Sequence, residues 1–180
     1  ALADTGAGYC VFNDLAIAAV RLCHEGFGPV LIVDCDVHQG DGTAALTAGW
    51  PDIATYSIHA DKNFPARKAR STVDIALADG AGDAEYLDML ETSLAPLMDR
   101  FCPRLILYQA GVDPFEGDRL GRLALTAEGL IARERVVAGL ARARGVPLAS
   151  TLGGGYGHDA QAVAQRHVAS ILALAAALAN

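Results

Sequence analysis

Apolar residues along the chain fall into two alternating textures. Residues 29–34 (PVLIVD) are apolar at nearly every position and β-branched in the middle, as expected of a strand buried on both faces. Further strands are predicted over residues 53–59, 73–77, 104–110 and 146–152. Between them the apolar positions recur at helical spacing. Asn13 or Asp14 caps a helix running to about Glu25, where Gly26 stops it. A short helix is predicted over residues 43–48. Asp83 is expected to cap a segment reaching about Arg100, with Tyr86, Leu87, Leu90, Leu94 and Leu97 on one stripe and Pro96 as a kink or an end. Thr126 caps a helix over about residues 127–144, closed by Gly145, and a last helix covers about residues 160–178. Buried strands alternating with helices predict an α/β fold, a three-layer parallel sheet with helices on both faces. In such sheets ligands bind beyond the carboxyl ends of the strands, so reactive residues should cluster just after each apolar run.

Composition narrows the class. The 180 residues are 52% hydrophobic and 19% charged, which excludes a disordered chain and suits one domain over residues 1–180. The net charge is −7, so a basic face for direct nucleic-acid binding is not expected. Cys10, Cys23, Cys35 and Cys102 form no CxxC pair and sit in apolar sequence. They are expected to be buried free thiols, in keeping with a cytoplasmic location. The opening ALADTGAGYC has no basic or long apolar segment of a secretory signal. The longest apolar run, residues 168–179, spans 12 residues and is shorter than the ~20 a membrane helix needs. It is expected to dock on the domain rather than enter a membrane.

The strand ends carry the chemistry. The first continues as Asp34-Cys35-Asp36-Val37-His38-Gln39-Gly40-Asp41-Gly42. If the strand stays extended, Asp34, Asp36 and His38 point the same way, and two carboxylates with an imidazole suit a divalent metal. An acidic solvated loop is the plainer reading. The fourth strand ends in Ala110-Gly-Val-Asp113-Pro114. Asp113 is either a turn residue before proline or the third N/O ligand of a site open to water and substrate. The fifth ends in Gly153-Gly154-Gly155-Tyr156, without the lysine of a phosphate loop. Tyr156 is a packed turn residue or a phenol able to donate to a developing oxyanion. Lys62, Arg67, Lys68 and Arg70 form a basic cluster, either a solvated loop or a pocket rim that contacts an acidic substrate. His59 reads as structural, and His24, His158 and His167 as surface or helix residues. Glu116, Asp118, Arg119 and Arg122 form a polar loop of pairing or mouth-shaping residues.

Taken in order, DCDVHQGDG, SIHADKNFP, YQAGVDP, EGDRLGRL and LGGGY resemble the histone deacetylase-like zinc hydrolases, most closely the class IV and bacterial branch. The resemblance implies an arginase/deacetylase-like sheet and a zinc-dependent hydrolysis of acyl-lysine-type amides. It implies Asp36, His38 and Asp113 as zinc ligands and Tyr156 as the oxyanion-stabilising phenol. Gly8, Tyr9, Phe64 and Gly154 would line the acyl-lysine tunnel. Asp34 and Ser57 would contribute to a structural monovalent-cation site, usually K+. The implied substrate is an acyl-lysine peptide or an acylated small amine.

One departure bears on activity. The family carries a tandem His-His pair just upstream of the segment that here reads Gly8-Tyr9-Cys10, and none of the five histidines is paired in sequence. Asp34 and Asp41 look like the carboxylates that would orient those imidazoles. The expectation is a C-terminal portion of a longer enzyme, with a sheet incomplete on its N-terminal side and open to homo-oligomer formation. Two other readings stand beside it. A metal-binding or interaction module without catalysis would explain the missing pair. An arginase-like manganese hydrolase would need a further bridging acid, whereas position 40 is Gly and GVDP holds one Asp.

Overall fold

The computed structural model describes residues 1–179. Five strands, β1 (Val30–Asp34), β2 (Ile53–Ala60), β3 (Val73–Leu77), β4 (Leu105–Gln109) and β5 (Leu148–Thr151), form one sheet in the order β3-β2-β1-β4-β5. Every pairing is parallel. The helices are α1 (Asp14–His24), α2 (Asp41–Thr47), α3 (Asp83–Phe101), α4 (Ala127–Ala143) and α5 (Ala160–Ala179).

Strand alternation sorts the side chains into two cores. Val30 and Ile32 of β1, Ile53 of β2 and Leu107 of β4 pack with Leu15 and Ala19 of α1. Leu31, Val33, Tyr56, Ile58, Ile106 and Tyr108 face the opposite way and meet α3, α4 and Leu174 of α5. The expected three layers are therefore present, with the larger core beneath α3 and α4. Each fully buried aliphatic such as Leu31, Ile58 or Leu90 contributes about 1.5–3 kcal/mol relative to exposure.

Local signals explain most element ends. The Asn13 side chain accepts from the Ala16 amide and Thr126 from Gly129, capping α1 and α4. Three expectations need correction. Asp83 does not cap α3, whose N-cap is Gly82. Its carboxylate instead accepts from the amide and hydroxyl of Thr126, at 2.9 and 2.7 Å, and so braces the start of α4. Pro96 does not mark the end of the helix, one of the two roles expected of it; the helix continues through it to Phe101. Only Cys35 of the four cysteines is buried; Cys10 and Cys102 are exposed and Cys23 is intermediate.

α5 matches the helix expected over about residues 160–178, of which the uninterrupted apolar run is 12 residues. At 20 residues it is long and apolar enough, by length and composition, to cross a membrane. In the fold it lies on α4, with Ser170 and Leu174 buried and Val168, Ile171 and Leu172 exposed.

Candidate active site

β1 and β4 are neighbours at the centre of the sheet, so their carboxyl ends open side by side. The chain does not stay extended past Asp34, as the common orientation of Asp34, Asp36 and His38 would require. The Asp34 carboxylate accepts from the Asp36 amide (3.1 Å), and the Asp36 carboxylate accepts from the His38 amide (2.8 Å). These two local bonds fold the segment into successive turns. Asp34 keeps the orientation of Val30 and Ile32, toward α1 and α2. Asp36 and His38 turn instead toward the end of β4.

There they meet Asp113. One Asp113 oxygen accepts from the Val37 amide at 2.9 Å, which ties the β4 loop to the β1 loop. The other, Oδ2, is buried without a hydrogen-bond partner and lies 3.3 Å from His38 Nδ1. His38 Nδ1 also lies 2.9 Å from Asp36 Oδ1. One ligand atom from each of the three residues falls within 4.8 Å of the others, the only such cluster among the described residues. An orphaned buried carboxylate oxygen facing an imidazole and a second carboxylate fits a divalent cation.

The electrostatics agree. Burial alone would lower the His38 pKa, but bonding and charge from Asp113 and Asp36 push it up to about 10. Burial, reinforced by the charge of Asp36, pushes Asp113 up to about 7. Burial also acts to raise Asp36, yet the His38 bonds and charge outweigh it and the net shift is downward. A positive charge on His38 eases the repulsion between the Asp36 and Asp113 carboxylates. Gln109 adds a further constraint. Its Nε2 donates to Asp36 Oδ2 at 3.0 Å while its Oε1 accepts from the Gly111 amide at 2.5 Å.

Tyr156 stands across the opening, its ring centroid 6.1 Å from that of His38. Its amide donates to Asp118 Oδ2 at 2.6 Å, and Asp118 Oδ1 accepts from the amides of Leu120 and Gly121 at 2.9 Å each. The preceding turn needs glycine at position 154, where φ is +60° and a Cβ would come within 2.3 Å of Asp113 Oδ2. Gly154 therefore lies against the metal-ligand candidate. Burial and the nearby Asp36 and Asp113 charges raise the Tyr156 pKa, so its hydroxyl remains a donor at neutral pH.

A cleft of about 500 Å³ leads to this cluster, with Gly8, Tyr9, Phe64 and Tyr156 in its walls. Tyr9 packs on Tyr156 with centroids 5.5 Å apart, and Phe64 meets the edge of His38 at 6.4 Å. Lys68 of the basic cluster braces the Phe64 loop by donating to the Asn63 and Pro65 carbonyls at 2.7 Å each. Asp34 and Asp41 also line the cleft, where His38 is the one histidine in the wall among the described residues. Burial and the Asp36 charge raise Asp34 well above the carboxylate range. Ser57 is the register partner of Asp34 across β1 and β2, and its hydroxyl hydrogen-bonds His59 Nδ1 at 3.0 Å.

Gly8, Tyr9, Asp34, Asp36, His38, Asp41, Phe64 and Tyr156 line the cleft, Asp113 and Gly154 lie against His38 and each other, and Ser57 sits beside Asp34 in the sheet with its hydroxyl on His59. Gln109 and Asp118 were not singled out as positioning residues. Gln109 follows an apolar strand in the same way as Asp34, and Asp118 lies in the GDRLGRL segment; both signals were visible, but their partners were not.

A family model described as the histone deacetylase domain matches residues 1–172. An uncharacterized protein of Picosynechococcus is 45% identical over 163 residues, covering 90% of this chain and 54% of that protein. A histone deacetylase-like amidohydrolase of Pseudomonas aeruginosa is 30% identical over 149 residues, covering 76% of this chain and 39% of that protein. A crystal structure of an HDAC homologue complexed with SAHA superposes with a TM-score of 0.80 at 25% identity, over 96% of this chain and 49% of that one. The chain spans about half the length of the curated relatives it matches or less. With the family model matching nearly its whole length, this chain belongs to the histone deacetylase domain family.

Proposed function

We propose that the protein containing this chain is a zinc-dependent hydrolase of acyl-lysine-type amides, and that Asp36, His38 and Asp113 hold the zinc. The observation that carries the reading is the convergence of these three side chains within 4.8 Å at the floor of an aromatic-walled cleft. Bound there, zinc would lower the pKa of a water and polarise the substrate carbonyl.

The chain's own residues supply the rest. The cleft is apolar along Tyr9 and Phe64, which suits a linear alkyl chain and excludes water from it. The Tyr156 hydroxyl donates to the carbonyl oxygen as that oxygen gains charge, while the Asp118 bond fixes the Tyr156 backbone. Gln109 holds Asp36, and the Val37 amide holds Asp113. By the family resemblance, Asp34 and Asp41 would orient a His-His pair, absent from this sequence, that acts on the water and the leaving amine. Asp34 and Ser57 form a structural monovalent-cation site, best filled by K+. The substrate is an acyl-lysine peptide or an acylated small amine, and direct nucleic-acid or membrane binding is not part of the reading. A cytoplasmic location suits its unpaired thiols.

The test is hydrolysis of an acyl-lysine peptide by the complete protein that contains this chain. Tyr156→Phe should retain zinc and lose about 10²–10³-fold in turnover, as removal of one oxyanion donor does elsewhere. Wild-type turnover in Tyr156→Phe contradicts the assigned role.

A further inference from the structure

Beneath the candidate metal centre lies a fully buried arginine that the proposed reaction does not use. Arg133 projects from α4 and is 0% exposed. Its Nη1 donates to the Gly111 carbonyl at 2.6 Å and to the Cys35 carbonyl at 3.2 Å. Its Nε and Nη2 donate to Glu134 Oε1 at 3.2 and 2.5 Å. That oxygen also accepts from the Ser170 hydroxyl of α5.

The two carbonyls matter for where they stand. Cys35 directly precedes Asp36, and the Gly111–Val112 peptide precedes Asp113. β1 has ended at Asp34 and β4 at Gln109; the Val112 amide still donates to the Gly153 carbonyl at 3.2 Å, so it is the Cys35 and Gly111 carbonyls that Arg133 supplies. Cys35 and Gly111 are both buried, so water is not available to the two oxygens. One planar guanidinium satisfies both and thereby sets the distance between the two loops that carry the carboxylates. Packing does not require it. A buried charge is costly, and an apolar side chain of similar volume would fill the same space.

We infer that Arg133 is a positioning residue for the metal centre: it clamps the Asp36 and Asp113 loops from below, with Glu134 and Ser170 fixing the orientation of the fork. The inference rests on the metal-binding reading of Asp36, His38 and Asp113. It ties metal affinity to α4 and α5, neither of which touches the cleft.

Titration of the intact chain with Co2+ tests it, using a competing chelator for affinity and the visible absorption for coordination geometry. The stability of each metal-free variant is measured in parallel with urea. Arg133→Lys keeps the charge but not the fork. It should weaken Co2+ binding at least tenfold, within the range found for partners of metal ligands, and alter the absorption band. Val137→Ala, which removes buried volume from the same helix, should leave affinity within about twofold and the band unchanged. Glu134→Gln should weaken binding by a smaller factor, about threefold, and it carries the test if Arg133→Lys does not fold. Equal affinities in Arg133→Lys and Val137→Ala overturn the inference, as does wild-type affinity in Glu134→Gln where Arg133→Lys cannot be prepared. A wild-type chain that binds no Co2+ removes the metal-binding reading and this inference together. Normal wild-type binding with an unaffected Arg133→Lys removes this inference alone.

Discussion

Single residues at the site fall into those legible from their own neighbourhood and those legible only from contacts. Asp36, His38 and Asp113 follow strands buried along most of their length, where a polar group needs a reason to be there, and Tyr156 follows the half-exposed β5. Gln109, Asp118 and Arg133 act through partners distant in sequence, so periodicity and local motif cannot assign them. Asp118 reaches Tyr156 across 38 positions, and Arg133 reaches Cys35 across 98. The cysteines show the converse error. Apolar neighbours suggested burial of Cys10 and Cys102, but each lies at a segment end that faces solvent. Asp118 carries a prediction at this scale. Its carboxylate accepts from three amides and holds the Tyr156 backbone, so Asp118→Ala should lower turnover about tenfold or more through misplacement of the phenol. Zinc affinity should stay within about twofold, because Asp118 touches no ligand candidate. A parallel loss of zinc would place its effect on the fold of the loop instead. Steady-state kinetics together with metal analysis separate the two.

At the scale of elements, the hydrophobic pattern located all ten, and β3 was predicted residue for residue. Boundaries shifted where a tertiary partner decides them. β5 closes at Thr151 because its ladder with β4 ends at the Gln109–Thr151 pair. α2 begins at Asp41, two residues before its expected start, since the turns after β1 deliver the chain there. Asp83 is the clearest case of a correct residue with the wrong partner. A carboxylate at the head of α3 suggests a cap for its own helix, yet it braces α4, which carries Arg133. Asp83→Ala should therefore destabilise the protein by about 1–2 kcal/mol, read as a lower urea midpoint with an unchanged slope. An unchanged midpoint would mean that water replaces the carboxylate at Thr126 without cost.

At the scale of the whole molecule, the parallel α/β class was legible but the strand order was not. Alternation along a strand says which faces are buried, and nothing in it says that β1 lies between β2 and β4. That adjacency brings the Asp36 and Asp113 loops together, and it makes the site a property of the sheet rather than of either motif. The histone deacetylase domain match confirms the family over nearly the full chain, while the relatives extend well beyond it. The three candidate metal ligands all lie within this chain. Zinc stoichiometry by elemental analysis of the purified, dialysed chain tests the account most directly. Wild type should hold one zinc per chain, Asp113→Asn and His38→Ala should hold almost none, and Asp41→Asn should retain it. Full zinc in Asp113→Asn, or the same loss in Asp41→Asn, would contradict the assignment.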